Sequence, residues 1–191
     1  MTLSAPREGR RRAIHLASGS LGFAAYALPL THRTMSLILL AACVVMVLLE
    51  IARRAIPAFE RAFEALTLGA MRPEETQGRI LGGTTLVFGY LLAWLLFPAA
   101  AAAPAIMVTA SADPAAAAVG TAVSRSRGRK TIAGSLAAWA VALAVLLLTR
   151  APWPAAIAAS VAAAVAERVP GAGADNVLMP LATAATLVLL T

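Results

Sequence analysis

The chain has 191 residues, of which 60% are apolar and only 13% charged, and it carries a net charge of +7. A soluble domain with that balance would expose large apolar patches, so the composition argues against a water-soluble fold and makes a lipid bilayer the expected solvent. The basic residues stand in short clusters at the ends of apolar runs with no interleaved aromatic platform, which argues against nucleic acid as a partner; the single cysteine, Cys43, excludes a disulfide framework or a cysteine metal site within one chain.

The chain opens on a basic segment, residues 1–12, holding Arg7 and the Arg10-Arg11-Arg12 cluster. The apolar run after it contains His15, Ser18, Gly19, Ser20 and Gly22, a poor core for a cleaved signal, so it is expected to be retained as a first span. The predicted spans are Ala13 to Leu30, Met35 to Leu49, Ile80 to Phe97, Ala99 to Val123, Ile132 to Leu148, Pro154 to Val169 and Val177 to Thr191. The last would cover only about 22 Å of a hydrocarbon core nearer 30 Å. The expected fold is therefore all-α: a polytopic membrane bundle of about seven transmembrane helices in a single domain over residues 1–191.

Two cytoplasmic loops punctuate the bundle. In the loop of residues 53–79, Ile56, Phe59, Phe63 and Leu66 recur at helical spacing opposite Glu60, Arg61 and Glu64, which predicts an amphipathic helix lying on the membrane surface. The second, residues 124–131, is the basic run Ser124-Arg125-Ser126-Arg127-Gly128-Arg129-Lys130 ahead of Thr131. With the N-terminus inside, of the 16 Lys and Arg only Arg33 and Arg150 fall outside, a strong positive-inside bias.

Within the long run from Ala99 to Val123, Asp113 and Pro114 place a carboxylate and a helix breaker together. An intramembrane Asp is costly and marks a functional position, and Pro114 is expected to break the helix, with Asp113 as the cap of a new segment. Gly120, the basic loop and the start of the next span at Thr131, Gly134 and Ser135 have the glycines, hydroxyls and cations that bind phosphate at a helix N-terminus. Glu167 and Asp175-Asn176 flank a Pro-Gly turn that can bring the two carboxylates face to face. Arg11 and His15 share a helical face near the start, and Glu50, Arg53 and Arg54 have the spacing of a self-satisfied ion-pair group. No serine-hydrolase elbow, Walker loop or HExxH motif is present.

The start Arg11-Arg12-Ala13-Ile14-His15, Glu50 and Arg54, the block Asp113-Pro114, Gly120, Gly128 and Lys130-Thr131-Ile132-Ala133-Gly134-Ser135, and the closing Glu167 and Asp175-Asn176 together resemble the polyprenol kinase superfamily of membrane enzymes. That group includes dolichol kinase, phytol kinase and CTP-dependent diacylglycerol kinase; Ala112 stands where its members usually place Gly. The resemblance implies transfer of a phosphoryl group from a nucleoside triphosphate, typically CTP, to the hydroxyl of a membrane lipid alcohol. Asp113, Glu167 and Asp175 are then the carboxylates available to hold Mg2+. Arg129, Lys130 and the N–H groups near Gly134 and Ser135 grip phosphates, and His15 or Glu50 assists the lipid hydroxyl. Arg12, Arg54 and Asn176 complete the expected site, which faces the cytoplasm from what is expected to be a bacterial inner membrane.

Two other readings compete. A phosphatidate cytidylyltransferase also joins CTP to a lipid, but its usual Gly-His-Gly-Gly signature is missing here. A small transporter or assembly subunit would use Asp113 as an ion site near the bilayer midplane.

Overall fold

The computed structural model describes residues 5–67, 71, 73–124, 130–169, 171 and 173–191, and among these it is all-helical. The helices are α1 (Ala5–Ala27), α2 (His32–Ala55), α3 (Pro57–Leu66), α4 (Pro73–Thr76), α5 (Gly82–Leu96), α6 (Ala99–Val123), α7 (Ile132–Leu148), α8 (Trp153–Glu167) and α9 (Ala174–Leu190). The seven long helices correspond to the seven apolar runs. Of them, α2 and α6 are long and apolar enough to cross a membrane. α5, α7, α8 and α9 are apolar helices of 15 to 17 residues.

Local chemistry sets the boundaries. Thr31 caps α2 by accepting from the Thr34 N–H at 3.1 Å, and Arg53 and Arg54 sit in the last turn, where cations suit the helix dipole. Pro57 opens α3 at a position where a missing N–H costs nothing. Thr131 caps α7. α1 begins at Ala5, so Arg10, Arg11 and Arg12 belong to the helix instead of a preceding tail, and α9 begins at Ala174, which puts Asp175 and Asn176 in its first turn.

One expectation fails: Pro114 does not break the helix. α6 runs unbroken through both Pro104 and Pro114, and Asp113 lies inside it, not at a cap. The helix is packed against α1, α7 and α9, and most of its residues from Ala101 to Ala116 are buried. This close sheath holds the backbone helical where a proline removes one bond, as neighbouring helices commonly do in apolar bundles.

α6 is the central stave. α7, α8 and α9 pack with it around a core made largely of alanine, including Ala105, Ala138, Ala142, Ala156, Ala159 and Ala184. A second core joins α2 and α5 to α6 through Met35, Leu39, Leu86, Tyr90, Trp94 and Ile106. Small side chains let backbones approach closely, and Gly89 shows how closely: a Cβ there would overlap the Asn176 carbonyl oxygen and lie 2.9 Å from Val177 Cα of α9.

α2 buries only Met35, Leu39, Glu50 and Arg53, and its outward face exposes Leu37, Leu40, Val44, Val45, Leu48 and Ile51. It is pinned to α5 at one end by His32, whose Nε2 lies 3.0 Å from the Trp94 carbonyl while Trp94 Nε1 donates to the His32 carbonyl at 3.1 Å, the two rings stacked with centroids 5.1 Å apart. α3 forms as the periodicity predicts; it buries no residue, Leu66 is 81% exposed, and Phe59 stacks on Phe63 with centroids 6.2 Å apart.

Gly89→Ala is expected to destabilise the bundle by about 1–3 kcal/mol, because the overlapping atoms are backbone and cannot turn aside. Gly9→Ala, where nothing lies within 4 Å of the added carbon, is expected to be neutral or slightly stabilising. Thermal unfolding of the two variants beside the parent measures the difference.

Candidate functional site

The chain reverses direction between successive long helices, so the start of α1, the ends of α2, α6 and α8, and the starts of α5, α7 and α9 gather at one end of the bundle. Side-chain bonds across the gathering confirm it. Arg12 Nη2 of α1 donates to the Ala117 carbonyl at 3.0 Å and lies 2.9 Å from Thr121 Oγ1 of α6; Asn176 Nδ2 of α9 donates to the Gly82 carbonyl and to Thr85 Oγ1 of α5, both at 2.9 Å.

At the centre of this end, Lys130 Nζ lies 2.9 Å from Asp175 Oδ2 and 3.5 Å from Glu167 Oε1. The carboxylates that flank the Pro-Gly turn therefore do face one another, with an ammonium between them. Ser135 Oγ lies 3.3 Å from Glu167 Oε2 and accepts from Arg168 Nη1 at 3.1 Å. Glu167 and Asp175 are 6% and 7% exposed, burial that a carboxylate tolerates only with such partners.

Deeper in the bundle, His15 Nδ1 of α1 lies 3.4 Å from Asp113 Oδ2 of α6. His15 is 8% exposed, and its second nitrogen, Nε2, is buried without a hydrogen-bond partner. Asp113 stands close enough to Glu167 to act on it electrostatically, and Asp175 acts on His15, so the pair and the surface cluster form one charged region.

The helix start at Thr131 is used differently from the expectation. Thr131 Oγ1 accepts from the Gly134 N–H at 3.0 Å, and the Thr131 carbonyl accepts from the Ser135 N–H at 3.0 Å. The first is the threonine cap and the second the opening backbone bond of α7, so both N–H groups have partners within the helix start. Gly134 instead permits helix contact, since a Cβ there would lie 2.8 Å from the Ala116 carbonyl oxygen; Gly120 faces the Thr131 side chain in the same way. Arg129 lies outside the described residues.

Glu50 is not brought to His15 or Asp113. Its carboxylate accepts from Arg53 at 2.6 and 3.2 Å, from Arg54 at 2.9 Å and from the Leu81 N–H at 3.3 Å. Arg53, 1% exposed, also donates to the Glu75 carbonyl at 2.8 Å and to the Arg79 carbonyl, and Glu60 of α3 lies 3.8 Å from it. The ion-pair spacing of Glu50, Arg53 and Arg54 was legible; the reach of Arg53 across to the segment before α5 was not, because nothing local to it marks a partner 22 residues on. Glu75 was also missed: it accepts from the Gly82 N–H at 2.7 Å, beside the Asn176 amide.

Among the described residues no group of three or more His, Cys, Asp or Glu side chains is gathered about one point, whereas Mg2+ is commonly held by only one or two carboxylates with waters and phosphates. The donor chemistry of Glu167 and Asp175 nonetheless suits a hard cation, and the Lys130 ammonium already occupies the cationic position between them. Compared with known protein families, curated proteins and solved structures, the chain matches none.

Lys130→Ala leaves two buried carboxylates without their counter-charge and is expected to destabilise the fold by about 2 kcal/mol. Asp175→Asn in that background is expected to return part of the loss. A double-mutant cycle by thermal unfolding should give a coupling of roughly 1 kcal/mol, and simple additivity would contradict the pairing.

Proposed function

We propose that the chain is a polytopic membrane protein that phosphorylates the hydroxyl of a lipid alcohol, with a nucleoside triphosphate, CTP by resemblance, as donor. The membrane reading is supported by two helices of spanning length, by the outward apolar faces of α2 and of α8 (Val161, Val165), and by the collection of charge at one end of the bundle. The shorter helices, about 22–26 Å long, fit a locally thinned bilayer. In this orientation the charged end is cytoplasmic, and α3 lies along the interface with Ile56 and Leu66, both unburied by protein, turned to the lipid.

The observation that carries the kinase reading is the His15–Asp113 pair set beside Lys130, Glu167 and Asp175. With Nδ1 turned to Asp113, Nε2, which makes no hydrogen bond although the Thr109 backbone stands near the ring, is the nitrogen left to accept a proton. The acceptor hydroxyl gives its proton to Nε2 as its oxygen bonds to the γ-phosphorus. The bond from that phosphorus to the bridging oxygen breaks, and the nucleoside diphosphate leaves. Asp113 stabilises the imidazolium. Lys130 and Arg168 supply positive charge to the phosphates. Glu167 and Asp175, with Asp113 nearby, are the residues that would hold Mg2+, which neutralises phosphate charge when bound.

A second reading rests on depth. Asp113 lies ten residues before Val123, the end of α6, or about 15 Å along the helix. A His–Asp pair at that depth, with the imidazole buried, also suits an ion or proton site in a transporter.

The deciding experiment is transfer from γ-labelled CTP, and in parallel ATP, to a panel of lipid alcohols by the purified protein with magnesium. Label in a lipid product is expected, with rates at least a hundredfold lower in Asp113→Asn and His15→Gln. With base-labelled CTP in a parallel reaction, label in the lipid would indicate cytidylyl transfer instead, and no transfer by folded protein would leave the transport reading.

A further inference from the structure

One polar contact in the bundle interior is not needed for packing. Tyr90 of α5 is fully buried among Leu86, Trp94 and Ile106, where a phenylalanine would fill the same space without a polar atom to satisfy. Its hydroxyl lies 3.0 Å from Ser18 Oγ of α1, and Ser18 Oγ donates in turn to the His15 carbonyl at 2.5 Å. Ser18 has thus committed its hydrogen to His15, which makes Tyr90 the donor between the two hydroxyls. Asp113 is near enough to Tyr90 to act on it electrostatically, so the phenol stands in the neighbourhood of the His15–Asp113 pair.

The adjacent residue serves the other half of the site. Gly89 seats α5 against the Asn176 backbone, next to Asp175 and its bond to Lys130. Two consecutive residues of one helix therefore touch α9 beside the carboxylate cluster and α1 beside the imidazole. α5 acts as a spacer that sets the distance between the two halves.

We propose that Tyr90, acting through Ser18, is a positioning residue that fixes the His15 turn of α1 so that the imidazole meets Asp113. The proposal rests on the kinase reading for its catalytic consequence, while its geometric content stands by itself. His15 is held at one side-chain atom, Nδ1, by Asp113; the tie at its carbonyl fixes the backbone from which the ring departs. With both ends set, the orientation of Nε2 is determined.

The test uses the full chain labelled with 15N-histidine in detergent micelles, which gives two imidazole signals, from His15 and His32. Tyr90→Phe and Ser18→Ala are both expected to move the His15 signals; because Tyr90 lies one turn from Trp94, which stacks on His32, the His32 signals are the unmoved control for Ser18→Ala. Ser18→Thr, which keeps the hydroxyl, is expected to match the parent. In the transfer assay, Tyr90→Phe should lower kcat about tenfold with the KM for CTP within about twofold, the pattern of a displaced base and not of weakened binding. Unchanged His15 signals in both variants, or movement of both histidines in Ser18→Ala together with a lower melting temperature, would overturn the proposal. If the parent transfers no phosphate from any nucleotide while the His15 signals respond as described, the kinase reading fails and the positioning contact stands.

Discussion

Charge placed where water is scarce has to be neutralised by its neighbours, and the architecture follows from that requirement. Glu167, Asp175 and Glu50 are each less than a tenth exposed, and each has a cationic partner supplied by a side chain within bonding reach. Those partners come from the segment ahead of α7, in the case of Lys130, or from the next turn of the same helix, in the case of Arg53 and Arg54. The ends of the staves must therefore be held in register before the charges can be paired. The alanine-rich interior makes this possible by letting the helices come close enough for short side chains to meet.

Two charged groups result, and they differ in character. Around Glu50, every carboxylate oxygen is engaged, and the Arg53 guanidinium spreads its donors over a carboxylate and two carbonyls. A group so fully saturated is a clamp, which fastens the end of α2 to the segment leading into α5. Around His15 and Lys130 the bonding is less complete. The imidazole keeps a nitrogen without a partner, the His15–Asp113 separation is 3.4 Å, and Lys130 is shared unequally between two acids. Incomplete satisfaction of that kind leaves room for a ligand to contribute.

Much of this was legible in the residue order. The apolar runs located all seven long helices, and the amphipathic spacing from Ile56 to Leu66 located α3. Among the candidate residues, Asp113, His15, Lys130, Glu167 and Asp175 do share one region, and Asn176 borders it. Local rules misled where tertiary packing outweighed them. Pro114 reads as a breaker because it removes a bond, but with other helices sheathing it α6 stays helical through that position. The N–H groups of Gly134 and Ser135 are engaged by a purely local device, the Thr131 cap and the first backbone bond of α7. Arg53 and Tyr90 were invisible as long-range partners, since their contacts depend on how separate helices are brought side by side.

The α2–α5 pair is fastened at both extremities, by the His32–Trp94 exchange at one and by the Glu50 bond to the Leu81 N–H at the other. A pair of staves pinned twice can tilt but cannot slide lengthwise, so it moves as a single plank. α1 packs along α6 and meets that plank through the Tyr90–Ser18 hydroxyls. The seam between α1 and that plank is the one beside which His15 lies, so a tilt of the plank would be felt first at the imidazole.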